Sequence, residues 1–323
     1  MKKKGLVMML GLVIILTSST IVSATTNRMK VLGNGGLVGI VSDEVIDLQL
    51  NSAQLSKIDT NKSFMDLHLR LEDEETQFLL APKLAYQLES NNTLGVYADI
   101  YSFENHDDVL SFRVADAVQL DDKLALGGRV GMVDWQDENE VVLEGGFIYQ
   151  PASDVTIDGS LGINHGFQLY DNIDEDNTNL FLRRTKQINE DESIVALIDF
   201  EFCDDESDEN QRIAIGKNSS YKDSFLAYGL DFYNDDDDTN IDFNWGAESK
   251  ITEKIILRAG SRHRLFQKFN SQEKLSTPML DEVNVGLTYN YDAQTKIDIA
   301  YLPYIQLGDN ATTDLNISVT KLF

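Results

Sequence analysis

Residues 314–323 read DLNISVTKLF, a segment in which polar and apolar side chains alternate. Because successive side chains of a β-strand point to opposite faces, this pattern gives a strand one apolar and one polar face. The apolar face holds Leu315, Ile317, Val319, Lys321 and Phe323, with Lys321 as its one charged member. The polar face holds Asp314, Asn316, Ser318 and Thr320. The segment therefore predicts a strand that separates two unlike environments.

The same unit of alternating residues followed by a polar turn recurs from Phe64 to the end of the chain. The clearest further runs cover residues 64–71, 94–103, 124–135, 141–149, 155–163, 194–202, 225–233, 241–249, 255–265, 283–291 and 297–301. Weaker runs cover residues 78–88, 110–120, 178–184 and 212–217. With the terminal strand, these runs predict an all-β fold of about 14 to 16 antiparallel strands.

Strand length distinguishes two architectures that share this alternation, a soluble sandwich and a transmembrane barrel. The predicted strands approach the roughly 9 to 11 residues that a tilted strand needs to cross a bilayer, whereas soluble strands average about 5 or 6. Aromatic side chains toward the strand ends fit the girdles at the two membrane interfaces of such barrels. They are Tyr97, Tyr101, Phe103, Trp135, Tyr149, Phe232, Tyr233, Trp245, Tyr289, Tyr291, Tyr301 and Tyr304. We therefore predict a transmembrane antiparallel up-and-down β-barrel over residues 63–323, with an acidic soluble β-protein as the alternative.

The first 24 residues have the three parts of a secretory signal peptide. Three lysines at residues 2–4 precede an apolar run over residues 5–16, and Val-Ser-Ala at residues 22–24 gives a small-residue cleavage site. The apolar run is shorter than the roughly 20 residues that a spanning helix needs, which disfavours a membrane anchor. We predict cleavage after Ala24 and export of the remaining chain.

Composition and motifs exclude several classes of function. The formal net charge of −27 disfavours nucleic-acid binding, and the single cysteine, Cys203, cannot form an intramolecular disulfide. Neither the His-Glu-x-x-His zinc motif nor the Gly-x-Ser-x-Gly motif occurs. Ser261 and His263 share a strand face, as in a hydrolytic dyad, but a lone histidine on a strand is more often structural. We therefore predict no enzymatic activity and no cofactor.

The end of the chain resembles the closing strand of bacterial outer-membrane β-barrels as a class. Those strands commonly end in a C-terminal Phe with apolar residues at alternate positions, a signal for the insertion machinery that Phe323 and its preceding residues match. Lys321 departs from the pattern, because an aromatic or apolar residue is usual there, although its long side chain can reach the interface. The resemblance implies an outer-membrane location, with the bilayer, lipopolysaccharide and the insertion machinery as partners. The resemblance is compatible with either a monomer or a homo-oligomer.

The connections between predicted strands differ on the two sides of such a barrel. If sixteen strands begin and end on the periplasmic side, acidic connections face outward at residues 72–75, 104–108, 134–140, 171–176, 204–209 and 235–238. The periplasmic connections, most of them short, cover residues 89–92, 121–123, 151–154, 189–192, 218–223, 250–254 and 292–295. The two longest connections, residues 164–177 and 266–282, also fall outward. Since the acidic loops lack the glycine and closing glutamate of an EF-hand, we predict only nonspecific divalent cations there and no metal site.

Residues 25–62 lack strict alternation and predict a plug or periplasmic segment. Here the chain resembles the N-terminal hatch of FadL-type transporters of hydrophobic compounds, in which a glycine-rich stretch precedes an acidic segment and an Asn-Pro-Ala motif. The matching hatch residues are Gly33, Gly35, Gly36, Asp43 and Asn51. Two positions depart from the motif, because Ser52 replaces the proline and Gln54 the usual glycine. The alternative is an amphipathic helix on the periplasmic rim, with an apolar face made by Val45, Leu48 and Leu55.

Charged side chains lie opposite the apolar face of many predicted strands, where they would line the lumen of a barrel. The predicted pore-lining residues are Asp66, His68, Arg70, Arg113, Arg129, Asp231, Asp242, Glu248, Arg258, Arg262, Arg264 and Asp298. Arg183 also falls opposite apolar neighbours. Opposed basic and acidic ladders would orient polar solutes in a pore, or the charges would pair with one another and fill a narrow barrel.

These patterns support three functions. The leading prediction is a porin-like outer-membrane channel for passive diffusion of small solutes, with a cation preference from its acidic outer rim. The second is a FadL-like transporter of hydrophobic compounds, gated by the N-terminal hatch. The third is a structural or docking barrel at the cell surface that binds cations or envelope polymer.

Overall fold

The computed structural model describes residues 28, 31–32, 36–71, 76–103, 109–135, 138–163, 177–203, 210–235, 238–269, 272–274, 279–303 and 313–322. The predicted signal peptide, Gly33, Gly35, Phe323 and most of the acidic outward segments lie outside the described residues. No helix in the described part of the chain is long and apolar enough to cross a membrane.

In the described ranges, seventeen strands form one antiparallel sheet. They are β1 (Lys62–Leu71), β2 (Thr76–Glu89), β3 (Asn92–Phe103), β4 (Val109–Gln119), β5 (Leu124–Trp135), β6 (Glu138–Ala152), β7 (Val155–Ile163), β8 (Asn177–Asn189), β9 (Glu192–Cys203), β10 (Asn210–Tyr221), β11 (Ser224–Asp235), β12 (Asp238–Thr252), β13 (Ile255–Phe269), β14 (Gln272–Lys274), β15 (Met279–Asn290), β16 (Thr295–Pro303) and β17 (Thr313–Leu322). The sheet closes because β1 pairs with both β2 and β17, with Lys62 opposite Leu322 and Leu71 opposite Thr313. Since β13 pairs directly with β15, the short β14 lies outside a closed barrel of 16 strands.

All the runs predicted from alternation, including the four weaker ones, are strands of this barrel. The all-β up-and-down barrel fold is therefore confirmed. The predicted long loop over residues 266–282 is wrong in extent, because β13 continues to Phe269, β14 follows, and β15 begins at Met279. Backbone pairing needs no apolar face, so the ladder continues where the alternation has ended.

The outward side chains form an apolar belt, and the charged residues of the wall that the structure describes as buried point inward. On β5, Leu126, Val130 and Met132 point outward and are each at least 42% exposed. The intervening Ala125 and Arg129 point inward and are buried, at 1% and 5% exposed. A soluble protein would bury the apolar face and expose the charges, so this reversed pattern is typical of a barrel surrounded by lipid.

The described turns between consecutive barrel strands lie at one end, which we call the turn rim. They cover residues 90–91, 120–123, 153–154, 190–191, 222–223, 253–254 and 291–294. They fall within or beside the connections predicted to be periplasmic, and we call the opposite end the loop rim. Asp292 closes one turn by accepting hydrogen bonds from the N–H groups of Gln294 (2.8 Å) and Thr295 (2.7 Å). These backbone hydrogen bonds hold the pKa of the Asp292 carboxyl below its ordinary value.

Candidate functional site: the plug inside the barrel

Most of the described residues from 28 to 61, which we call the plug, are buried inside the barrel. Asp43 caps α1 (Glu44–Leu50) by accepting a hydrogen bond from the N–H of Ile46, and Asn51 joins α1 to a 3-10 helix, Ser52–Lys57. The buried side chains of α1 are Val45, Ile46, Asp47, Leu48 and Leu50. A helix on the periplasmic rim would need a polar face toward water, and only Glu44 of α1 is exposed. The helix is therefore a core element of the barrel and not an amphipathic helix on its rim.

Two apolar contacts hold opposite sides of the plug. One joins its Leu32, Leu37, Val38, Ile40, Val41, Ile46 and Leu50 to Phe181, Val195, Leu197, Ala214 and Ala227 of the wall. The other joins its Val45, Leu48, Leu55 and Ile58 to Phe64, Ala85, Tyr97, Ala115 and Ala117. The three residues of the predicted apolar helix face thus share one cluster, but that cluster lies against the inner wall. Apolar burial on both sides favours a plug seated in the lumen.

Glycines in the wall allow the plug backbone to approach closely. A Cβ atom at Gly146 would overlap the side chain of Asn51, and one at Gly127 would overlap the backbone of Ala53. Asn51 also donates from Nδ2 to the carbonyl of Phe147 (2.9 Å) and accepts at Oδ1 from the N–H of Ala53 (2.9 Å). The predicted hatch residue Asn51 is therefore a contact between the plug and strand β6.

Three arginines of the wall donate hydrogen bonds to carbonyl groups of the plug. Arg129 donates to the carbonyls of Gln49 (3.0 Å) and Leu48, and Arg183 donates to that of Gly39 (3.3 Å). Arg212 donates to the carbonyls of Gly36 (3.0 Å) and Val38 (3.1 Å), which places the predicted hatch residue Gly36 against β10. A guanidinium has five N–H donors in a fixed fork, so it can hold a carboxylate and still satisfy carbonyl groups.

Each of these arginines also has a carboxylate partner on a neighbouring strand. The pairs are Arg129 with Glu144 (3.3 Å), Arg183 with Asp158 (3.0 Å) and Arg212 with Asp231 (3.0 Å). A buried guanidinium without such a partner would carry a large desolvation cost. The wall carboxylates therefore make it possible to keep arginines inside the barrel as donors to the plug.

Charged side chains of the plug complete the attachment. Asp47 accepts a hydrogen bond from Arg183 (2.6 Å). Arg28 donates from Nε to Glu248 (2.9 Å), which also accepts from Arg258 (2.5 Å). The cap residue Asp43, predicted as part of the hatch, lies 3.8 Å from Arg28. The plug is thus joined to β8 and β12 by buried or half-buried ion pairs.

The predicted pore-lining residues that the structure describes all lie on the inward face. The side chain of Arg70 is outside the described residues. Most of the others are paired within the wall: Asp66 with Lys83 (3.0 Å), Arg113 with Asp99 (3.4 Å), Arg264 with Asp242 (3.2 Å), Arg258 with Asp298 (2.7 Å), and Arg262 with Asp242. His68 is buried on the inward face of β1. Whether these residues line a conducting pore stays a prediction.

Exposure separates these charges into two groups. Of the arginines that contact the plug, Arg129 and Arg183 have side chains that are 2% and 5% exposed, and Arg212 is 13% exposed. Those nearer the loop rim are more accessible, with 19% for Arg113 and 27% for Arg262. Charged side chains toward the loop rim are therefore more accessible than Arg129 and Arg183, which hold the plug. We call the part of the lumen lined by Arg113, Arg262, Arg264, Asp99 and Asp242 the vestibule.

Sequence reasoning missed Arg212, Asp47, Asp158 and Glu144 as residues that hold the plug. The alternation of side chains along each strand places Arg212, Asp158 and Glu144 on the inward face, so this alternation alone could have identified them. Asp47 lies in α1 next to apolar residues, and no pattern in the sequence connects it with Arg183. Their partnership depends on where the plug sits.

The predicted Ser261 and His263 pair forms on the outward face of β13. Ser261 Oγ lies 3.1 Å from His263 Nε2. Ser261 is 0% exposed, so a substrate cannot reach its hydroxyl. The contact is a structural hydrogen bond on the outer wall.

No protein-family model matches the sequence, and no curated protein matches it. Several solved structures share the fold. A bacterial polysaccharide outer membrane secretin has a TM-score of 0.61 at 9% identity, over 82% of this chain and 99% of that one. The toluene transporter TbuX of Ralstonia pickettii has a TM-score of 0.50 at 12% identity, over 92% and 98% of the two chains. OccK3 of Pseudomonas aeruginosa has a TM-score of 0.50 at 9% identity, over 84% and 98%.

These similarities show that the chain has the fold of bacterial outer-membrane channel barrels. The porin-like and the FadL-like resemblance both agree with that fold, and so does the predicted outer-membrane location. The similar structures are channels and not enzymes.

Proposed function

We propose that this protein is a bacterial outer-membrane channel that its plug closes at rest. The observation that supports the proposal is the set of hydrogen bonds from Arg129, Arg183 and Arg212 to the backbone of the plug. Passive diffusion needs a clear lumen, whereas the plug occupies the lumen between these strands. Movement of the plug is then the step that admits a solute, and the protein performs no covalent chemistry.

Small polar solutes are the cargo that we propose first. The wall of the vestibule carries Arg113, Arg262 and Arg264 beside Asp99 and Asp242. Opposite charges in a narrow lumen orient polar solutes and favour their partial dehydration. Because the described vestibule carries both signs, the predicted cation preference would have to come from the acidic segments outside the described residues.

Transport of small hydrophobic compounds is the second candidate, because the plug covers apolar wall. Phe181, Val195 and Leu197 on one side, and Phe64 and Tyr97 on the other, contact the plug and would lose that contact when it moves. An apolar solute in the same place would restore burial of these side chains.

Conductance of the refolded exported chain in planar bilayers tests the proposal. We expect brief, infrequent openings for the full chain and steady conductance for a variant that lacks residues 28–61. The variant Asp59→Asn serves as the control, because Asp59 belongs to the plug but its side chain is 85% exposed. Steady conductance of the full chain would instead support an open porin, and silence of both chains would support a docking barrel.

Uptake into vesicles that contain the plugless variant separates the two cargo classes. A small neutral sugar should enter if the lumen passes polar solutes. Preferential entry of a small aromatic hydrocarbon would support the second candidate.

A further inference from the structure

Two basic side chains, Arg184 and Lys186, lie on the outward face of β8 near the turn rim. Both are exposed, and their neighbours across the sheet are apolar. Opposite them lie Ile157 and Ala196 for Arg184, and Val155 and Ile194 for Lys186. The two side chains therefore interrupt the apolar belt of the barrel.

Many other basic residues of the wall lie inward beside carboxylates, as Lys83 does with Asp66 and Arg258 with Asp298. In the part of the chain that the structure describes, neither Arg184 nor Lys186 has a carboxylate partner. A basic side chain on a lipid-facing surface destabilises a barrel, increasingly so with depth in the bilayer. An anion at this position would remove that cost.

The spacing of the two side chains suits one phosphate group. They are two residues apart on one strand, so their Cα atoms lie about 7 Å apart and their side chains share a face. A guanidinium binds phosphate in a bidentate way, and an ammonium adds a point charge. Opposite Arg184, the small Ala196 leaves space for a headgroup beside the guanidinium.

Nearby charges restrict where an anion can bind. Lys217 lies across Ile194 from Lys186, and its ammonium pairs with Glu192 (2.6 Å), which neutralises that carboxylate. The other acidic residues nearby, Asp154, Glu190 and Asp191, are in turns at the rim. They repel an anion from the rim and leave the level of Arg184 and Lys186 as the favourable one.

We propose that Arg184 and Lys186 bind the phosphate of an anionic phospholipid, phosphatidylglycerol, in the leaflet next to the turn rim. Short connections mark the periplasmic side of bacterial barrels, so this is the periplasmic leaflet, which is made of phospholipid. The inference rests on the membrane location in the proposed function. It assigns the patch to lipid and not to the transported solute.

The test compares lipid retained by the purified full chain and by the double variant Arg184→Gln/Lys186→Gln. Each protein is reconstituted into vesicles of phosphatidylethanolamine with a minor share of phosphatidylglycerol, extracted in mild detergent, and examined by native mass spectrometry. The matched control is Lys123→Gln/Lys254→Gln, which removes the same charge from exposed turn positions at the same rim. Circular dichroism and protease resistance of each variant in the vesicles show whether the barrel has folded and inserted.

We expect one retained phosphatidylglycerol in the parent and the control, and a preference for it about 25-fold weaker in the double variant. The expected change follows from a roughly fivefold contribution of each basic residue near an anionic surface. Equal retention by all three inserted proteins would overturn the inference while leaving the channel proposal intact. Displacement of the lipid by inorganic phosphate would overturn it in favour of a free anion. A dimer that the double variant abolishes would assign the patch to a second copy instead.

Discussion

Asp47 attaches the plug to the barrel wall, and its replacement by asparagine tests whether the plug gates the channel. One carboxylate oxygen accepts from Arg183 (2.6 Å), and the other accepts from the hydroxyl of Ser42 (2.7 Å) and the N–H of Asp43 (3.2 Å). The variant Asp47→Asn keeps the size of the side chain but removes its charge and replaces one acceptor oxygen by an N–H donor.

The free-energy cost of Asp47→Asn depends on the hydrogen bonds that Arg183 retains in the variant. Its hydrogen bonds to Asp158, at 3.0–3.1 Å, remain, so the guanidinium is not left buried without a partner. A hydrogen bond to a charged group contributes about 1.5–3 kcal/mol and a neutral one about 0.5–1.5 kcal/mol. The closed state should therefore lose about 1–2 kcal/mol, which raises the ratio of open to closed channels roughly 5- to 30-fold.

Single-channel recordings in planar bilayers give this ratio from the open and closed dwell times. Asp59→Asn again serves as the matched control, because it removes an equal charge from an exposed position of the plug. A variant Arg183→Gln should also favour opening, and its effect should be non-additive with that of Asp47→Asn because the two residues are partners. An open fraction for Asp47→Asn equal to that of the control would refute the gating role of this contact.

Three further predictions concern the plug seat and one turn. Gly146→Ala should displace Asn51 and make the plug accessible to protease, whereas Gly145→Ala, which has no atom within 4 Å of its new Cβ, should not. Equal protection of the plug from protease in both variants would contradict the close approach of Asn51 to Gly146. Leu197→Ala removes part of the wall beneath the plug and should lower the free energy of unfolding by about 2–5 kcal/mol, measured by urea titration in vesicles; an unchanged midpoint would mean that the plug does not pack there. The pKa of Asp292 is depressed by backbone hydrogen bonds, so its contribution to stability is present above the ordinary carboxyl pKa and is lost as pH falls through the depressed value. The variant Asp292→Ala should therefore lose less stability than the parent when the pH is lowered. Identical profiles of stability against pH for the two proteins would contradict this prediction.

Much of the fold could be predicted because a lipid-exposed barrel repeats one simple rule. Each strand must present apolar side chains to lipid on one face, and this requirement recurs at every second residue. Even the weak run at residues 212–217 belongs to a complete strand, Asn210–Tyr221. The ends of strands were harder to predict, because backbone pairing continues where the outward face is no longer apolar. That is why β13 reaches Phe269 inside a predicted loop.

Inward residues were predictable as a class but not in their partnerships. The alternation of side chains along the strands places Arg129 and Glu248 inside the barrel, as predicted. Their contacts reach across large separations in sequence, 81 residues from Arg129 to Leu48 and 220 from Arg28 to Glu248. No periodic pattern in the sequence predicts which of these distant residues meet, because their contacts form only when the ring of strands closes around the plug.

The sequence by itself determined the all-β class, the strands, their outward and inward faces and the short turns at one rim. These features are local, because each follows from a side chain and its neighbours within a few residues. Only the tertiary structure decided that residues 36–58 occupy the lumen, and not the periplasmic rim, and that wall arginines bind their backbone. Inside a closed barrel, every polar group left without water needs a partner from another strand or from the plug, and closure alone determines which groups meet.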